Sequence, residues 1–214
     1  MALASGASAG LILTLLHQVL TVPLILEAER FEVADVMTHE TPAWAPQAGV
    51  QRLAATALSD VLAGVGFALL LAAVWLWRDQ PINVWQGLLW GLGGFAALTL
   101  APAAGLPAAL PGSAVAALAA RQWWWVGTAL ASATGLAALV FLPSLGGKLV
   151  GVGLIAIPHL AGAPQPLGQA AVASQVLGER FAQATLLSSA IFWCVLGVVG
   201  AWSFQRYVRA PANT

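Results

Sequence analysis

Charge is scarce in this 214-residue chain: Asp, Glu, Lys and Arg together make up 7% of it, against 60% hydrophobic residues. An ordinary soluble domain carries roughly a quarter charged residues, so a water-soluble globule is excluded. The eight basic and eight acidic side chains cancel. No basic stripe is left to face a nucleic-acid backbone, and no nucleic-acid partner is expected. Cysteine is all but missing. Cys194 stands alone, which excludes an intrachain disulfide and any CxxC metal or redox site. The phosphate-gripping GxxxxGK(S/T) loop is lacking too, because Gly146-Gly147-Lys148 falls short of the pattern, so the chain has no ATPase motif. HExxH, GxSxG and CxxCH are likewise absent, which speaks against a protease, a hydrolase or c-type haem attachment. No catalytic residue and no covalent cofactor is expected.

What the chain does have is long runs without charge. A span needs about 20 mostly apolar residues to cross a hydrocarbon core of roughly 30 Å. Residues 1–26 carry no charge, 53–77 carry only Asp60, and 80–120, 122–147, 149–178 and 181–205 carry none. Prolines and tryptophans subdivide these runs into spans near 4–25, 53–77, 84–101, 122–142, 148–161 and 181–205. The fifth is short and suits a re-entrant or tilted segment. The first lacks a positive n-region and a small-residue cleavage site before Glu27, so it reads as a retained helix rather than a secretion signal. Trp75, Trp77, Trp85, Trp90 and Trp202 cluster around one expected interface and Trp123, Trp124 and Trp125 around the other. Trp193 falls mid-span, as packing. The expected fold is therefore an all-α integral membrane protein, one polytopic domain over residues 1–214. It has about six transmembrane segments, or five plus a re-entrant one.

A threefold pattern runs through the odd-numbered spans. Each opens on a GxxxG (Gly6/Gly10, Gly87/Gly91, Gly147/Gly151) and ends near a proline (Pro23, Pro102, Pro158), and an arginine heads the span that follows (Arg52, Arg121, Arg180). This suggests three repeated helical hairpins whose Pro-bearing linkers share one side, with helices 1, 3 and 5 meeting through their small residues. Short helices are expected after Ser113 and Ser174, each a suitable N-cap. The basic residues divide evenly between the two sides, so charge does not set the orientation. Short turns and the tail favour N-in, C-in.

An ionisable residue inside a span costs roughly 2.5–3.5 kcal/mol on insertion scales and needs a reason. Asp60 shares a face with Arg52, Thr56 and Gly64, a polar stripe spaced by four. His17 lies ten residues before Glu27, about 15 Å along a helix, and Asp60 eight residues after Arg52, about 12 Å. In a hairpin these depths nearly match, so the two side chains should meet, with Thr14, Gln18 and Thr21 adding polarity nearby. His159 follows Pro158, a residue that frees backbone carbonyls. Glu27 and Glu29 end the first span, ahead of Glu32, Asp35, His39 and Glu40. Carboxylates with imidazoles suit divalent transition metals. His17, Glu27, Glu29, Asp60 and His159 are thus the candidate metal ligands. The glutamates would attract a cation and pass it inward, unless they pair with Arg52, Arg121 or Arg180 as a structural clasp.

Together these residues resemble the CbtA-type predicted cobalt transporter subunits. The matching pieces are Leu15-Leu16-His17-Gln18 with Val22-Pro23 through Glu29; Gly64-Val65-Gly66-Phe67; Gly87 through Gly91 with Ala101-Pro102; Gly105-Leu106-Pro107 with Leu110-Pro111-Gly112; Ala119-Ala120-Arg121-Gln122 with Trp124-Trp125; Pro158-His159-Leu160 with Gly162-Ala163-Pro164; and Arg180-Phe181. They recur in order along almost the whole chain. The resemblance implies a multi-pass inner-membrane protein, usually described with five spans. It also implies cobalt uptake linked to cobalamin and a small single-span, histidine-bearing partner of CbtB type. The chain departs from the pattern where Thr38-His39-Glu40-Thr41 holds one histidine in place of a histidine-rich stretch, and where Gln165 follows Ala163-Pro164. The expected function is a membrane permease subunit for a divalent transition metal, cobalt first. The alternative is a non-transporting accessory subunit that stabilises another membrane complex. A haem or electron-transfer subunit would rest on His17 and His159, whose depths differ.

Overall fold

The structure, a computed structural model, describes residues 1–35, 46, 47, 49–166 and 175–208. Its helices are α1 (Ala2–Leu16), α2 (Val22–Asp35), α3 (Val50–Arg78), α4 (Val84–Phe95), α5 (Ala101–Gly105), α6 (Leu118–Phe141), α7 (Leu145–Ala161) and α8 (Gln175–Tyr207). Single π-helical turns, His17–Thr21 and Ala96–Leu100, join α1 to α2 and α4 to α5. Five stretches are long and apolar enough to cross a membrane: Ala2–Arg30, Val50–Arg78, Val84–Gly105, Leu118–Phe141 and Gln175–Tyr207. The expected span 148–161 belongs to α7, whose 17 residues reach about 25 Å. The protein is an all-α membrane protein with five long apolar helices and a short sixth.

The π turns have a local cause. The N–H of Val22 reaches back five residues to the His17 carbonyl, and that of Ala101 to the Ala96 carbonyl. Pro23 and Pro102 come next. A proline has no N–H, and its ring crowds the carbonyl four residues earlier; a widened turn moves that carbonyl aside. Both π turns begin six residues before their proline. The third proline, Pro158, sits inside α7 without one.

Helix ends follow local chemistry as well. Asn83 Oδ1 accepts from the Gln86 N–H and Gln86 Oε1 from the Asn83 N–H, both at 2.8 Å, a reciprocal capping box at the head of α4. Ser144 Oγ accepts from the Gly147 N–H at 3.1 Å to start α7, and Gly162, at φ 85°, ends it. No short helix follows Ser113. The chain stays non-helical to Ala117, and α6 begins at Leu118 without a side-chain cap. Ser174 lies outside the described residues, as do His39 and Glu40 and the side chains of Glu32 and Asp35.

The chain divides into two compact units. The first holds Met1–Val22, His39–Leu92 and Leu187–Thr214. In it, Gly6 and Gly10 of α1 lie against the backbone of α3: a Cβ on Gly10 would come within 2.6 Å of the Asp60 carbonyl oxygen, and one on Gly64 would strike the Gly6 carbonyl. Gly87 and Gly91 of α4 meet Gly197 and the Trp193 carbonyl of α8 in the same way. Trp193 packs on Phe67 with ring centroids 4.8 Å apart, in keeping with its mid-span position. Trp75, expected at an interface, is instead buried edge-on against Phe204, while Trp77, Trp85 and Trp123 are exposed. Gln205 Nε2 donates to the Ile82 carbonyl at 2.5 Å.

The second unit holds Pro23–Thr38 and Gly93–Leu186, and so all three span-ending prolines. Ala28, Leu110 and Leu177 are buried together, with Leu24, Ile25 and Phe181 packed around them. Gly135 of α6 and Gly151 of α7 face each other, each Cβ position 2.7 Å from the other's carbonyl oxygen. The GxxxG glycines therefore do not gather the odd-numbered spans. Each odd span instead presses on an even one: α1 on α3, α4 on α8, and α7 on α6. A flat glycine face admits any backbone that offers a matching small residue, and Gly64, Gly197 and Gly135 supply it.

Candidate metal site

Thr14 and His17 are brought to Asp60 by the glycine contact of α1 with α3. Gly6, Gly10 and Thr14 recur every fourth residue and are all buried, so they form the face that α3 approaches. Because the Gly10 position lies against the Asp60 backbone, Asp60 stands abreast of the next α1 turn. Its Oδ2 accepts from Thr14 Oγ1 at 3.0 Å and from His17 Nδ1 at 3.1 Å. The Thr14 hydroxyl also lies 3.0 Å from the Gly10 carbonyl oxygen, so one proton is shared between two acceptors. The His17 side chain is 24% exposed and that of Asp60 11%.

This geometry fixes the imidazole. An ionised carboxylate only accepts, so the ring proton facing Asp60 sits on Nδ1 and the lone pair of a neutral ring falls on Nε2. A metal-binding histidine is commonly held in this way, one nitrogen tied to a carboxylate and the other aimed at the cation. His17 also opens the π turn, where its carbonyl accepts from both the Val22 N–H and Thr21 Oγ1.

The stripe on α3 is only partly polar in use. Asp60 and Gly64 are buried, while Thr56 returns its hydroxyl to the Arg52 carbonyl at 2.9 Å. The other three candidates belong to the second unit. Glu27 is exposed, Glu29 is half-buried and has a partner, and exposed His159 sets its ring edge against Trp124 at 6.1 Å. Among the described residues, no three His, Cys, Asp or Glu side chains gather as a metal site. Sequence reasoning overlooked two buried hydroxyls, Thr128 and Ser132; their spacing of four on an apolar helix was the available signal.

The family model described as CbtA, probable cobalt transporter subunit, matches residues 1–205. The chain belongs to the CbtA family. No curated protein and no solved structure gives a significant match. CbtA membership makes the chain a subunit of a probable cobalt transporter rather than an enzyme. With five apolar helices of spanning length, it is a multi-pass membrane protein.

Proposed function

We propose that the chain is the permease subunit for a divalent transition metal, cobalt first, in an uptake route that serves cobalamin, and that His17 is the ligand the ion meets within the helices. The bond from His17 Nδ1 to Asp60 Oδ2 carries this reading. It commits one nitrogen and leaves Nε2 for a borderline metal such as Co²⁺. Asp60 positions the ring and supplies a charge of opposite sign to the cargo. Two side chains are fewer than a transition metal takes, so further ligands are supplied by a small single-span, histidine-bearing partner of CbtB type. In the second unit, Glu27 and Glu29 raise the local cation concentration, and His159 offers an imidazole beside a carbonyl that Pro158 leaves undonated.

The protein lies in the inner membrane with both termini inside. With no nucleotide loop in the chain, the membrane potential drives the step; at roughly 2.3 kcal/mol per charge per 100 mV, a dication gains about 4.6 kcal/mol per 100 mV. Cobalt uptake by cells expressing His17→Gln, Asp60→Asn or Glu27→Gln at matched protein abundance tests the reading. His17→Gln should abolish uptake, and the two carboxylate variants should lower it. The satisfaction of Asp60 by Thr14 and His17 also favours a second reading, an accessory subunit whose polar residues only pack helices. Normal uptake in His17→Gln would reject the permease site and leave that alternative.

A further inference from the structure

Hydroxyls within the helices commonly turn back on their own backbone. Ser5, Ser8, Thr14, Thr21, Thr56 and Thr185 each donate to the carbonyl four residues earlier. Thr128 and Ser132 of α6 do not. They are 0% and 1% exposed, and neither hydroxyl oxygen has a hydrogen-bond partner. Trp124 Nε1, one turn earlier, is buried and unpartnered too. Spaced i, i+4 and i+8, the three form one stripe along α6.

The stripe lies against α7. Trp124 packs on His159 at one end, and Gly135 on Gly151 at the other. These contacts fix an antiparallel register, and counting from either one sets Leu154 level with Ala129–Ser132. Leu154 is four residues before Pro158, so its carbonyl has lost the N–H that a helix would give it. An acceptor without its donor thus stands at the level of two hydroxyls that bond to nothing else.

We infer that the α6–α7 interface is a binding site for ordered water, which bridges the Thr128 and Ser132 hydroxyls to the Leu154 carbonyl and takes up Trp124 Nε1. The stripe offers donors and acceptors together, as a water needs with its two to four polar partners. A bare cation fits less well: the indole N–H cannot ligate it, and no carboxylate lies in the stripe to offset the cost of burying charge. The water restores the turn that Pro158 breaks, a recognised way in which membrane helices tolerate proline. This assignment is independent of the metal at His17.

The sign of a stability change tests it. Removing a hydroxyl that is truly orphaned stabilises a protein, whereas removing one held by water destabilises it. Thr128→Val and Ser132→Ala should each lower the thermal midpoint of the full chain in bilayer discs. In a Pro158→Ala background, where Leu154 regains its N–H, the cost of Thr128→Val should shrink. Water-edited solid-state NMR on the unmodified protein should show rapid transfer from water to the Cβ signals of Thr128 and Ser132. A raised midpoint in Thr128→Val, an unchanged cost in the Pro158→Ala background, or Cβ signals that receive magnetisation from lipid alone would each overturn the site.

Discussion

Replacing His17 and Asp60 by alanine, singly and together, separates what the pair contributes from what each residue costs. In water, a hydrogen bond to a charged group contributes about 1.5–3 kcal/mol. Between membrane helices the measured couplings are smaller, averaging about 0.6 kcal/mol with a maximum near 1.7, because an unfolded helix in lipid also finds partners. At 3.1 Å, with side chains 24% and 11% exposed, the pair belongs near the upper end of that membrane range, and a coupling of about 1–1.7 kcal/mol is expected. The single variants should differ. His17→Ala strips the buried carboxylate to one donor, Thr14, which already shares its proton with the Gly10 carbonyl. Asp60→Ala leaves a half-exposed imidazole and a threonine that keeps its Gly10 bond, and it removes a carboxylate whose insertion costs roughly 2.5–3.5 kcal/mol. His17→Ala should therefore destabilise the fold more than Asp60→Ala. Unfolding of the four proteins in mixed micelles, each titrated with dodecyl sulfate, gives the cycle. A larger loss in Asp60→Ala, or a coupling indistinguishable from zero, would refute the reasoning.

The glycine contacts predict paired outcomes: Gly64→Ala, Gly197→Ala and Gly151→Ala should each destabilise by about 1–3 kcal/mol through forced separation of backbones. Gly66→Ala, Gly93→Ala and Gly153→Ala, where an added Cβ meets nothing within 4 Å, should be neutral or slightly stabilising; equal effects in the two sets would contradict the packing. For the π turns, Pro102→Ala restores an N–H and should let Ala96–Leu100 close to an ordinary α turn. Hydrogen exchange would then find the new amide at position 102 protected and the protein more stable, and an unprotected amide would show that the wide turn has another cause.

Several of these features were legible in the amino-acid sequence. The meeting of His17 and Asp60 followed from depth alone, because Glu27 and Arg52 mark the ends of charge-free runs and a helix rises by a fixed amount per residue. The glycine partners were not legible. A GxxxG says that one face is flat and says nothing about which helix will use it, so Gly64, Gly197 and Gly135 could be assigned only from contacts. Pro23 and Pro102 announced a disturbed helix, yet whether a proline is met by a kink, a water or a wider turn depends on what surrounds it. Thr128 and Ser132 looked ordinary because helical hydroxyls usually satisfy themselves. Ser113 failed as a cap because a good capping residue starts a helix only where apolar burial continues it.

The π turns have a consequence for how length variation acts on this chain. A helix advances about 100° per residue, so one extra residue held in a single wide turn shifts the rotational phase of everything after it by that amount. Faces before His17 and after Thr21 are therefore out of step with any single helical wheel, and the same holds across Ala96–Leu100. Deleting one residue inside either turn returns the helix to its ordinary pitch and swings the following segment, with Ala28 in one case and Pro102 in the other, away from the side it now buries. A deletion of that size beyond Tyr207, in the tail, turns no buried face. The chain carries two places where a single residue sets the orientation of a whole helix end.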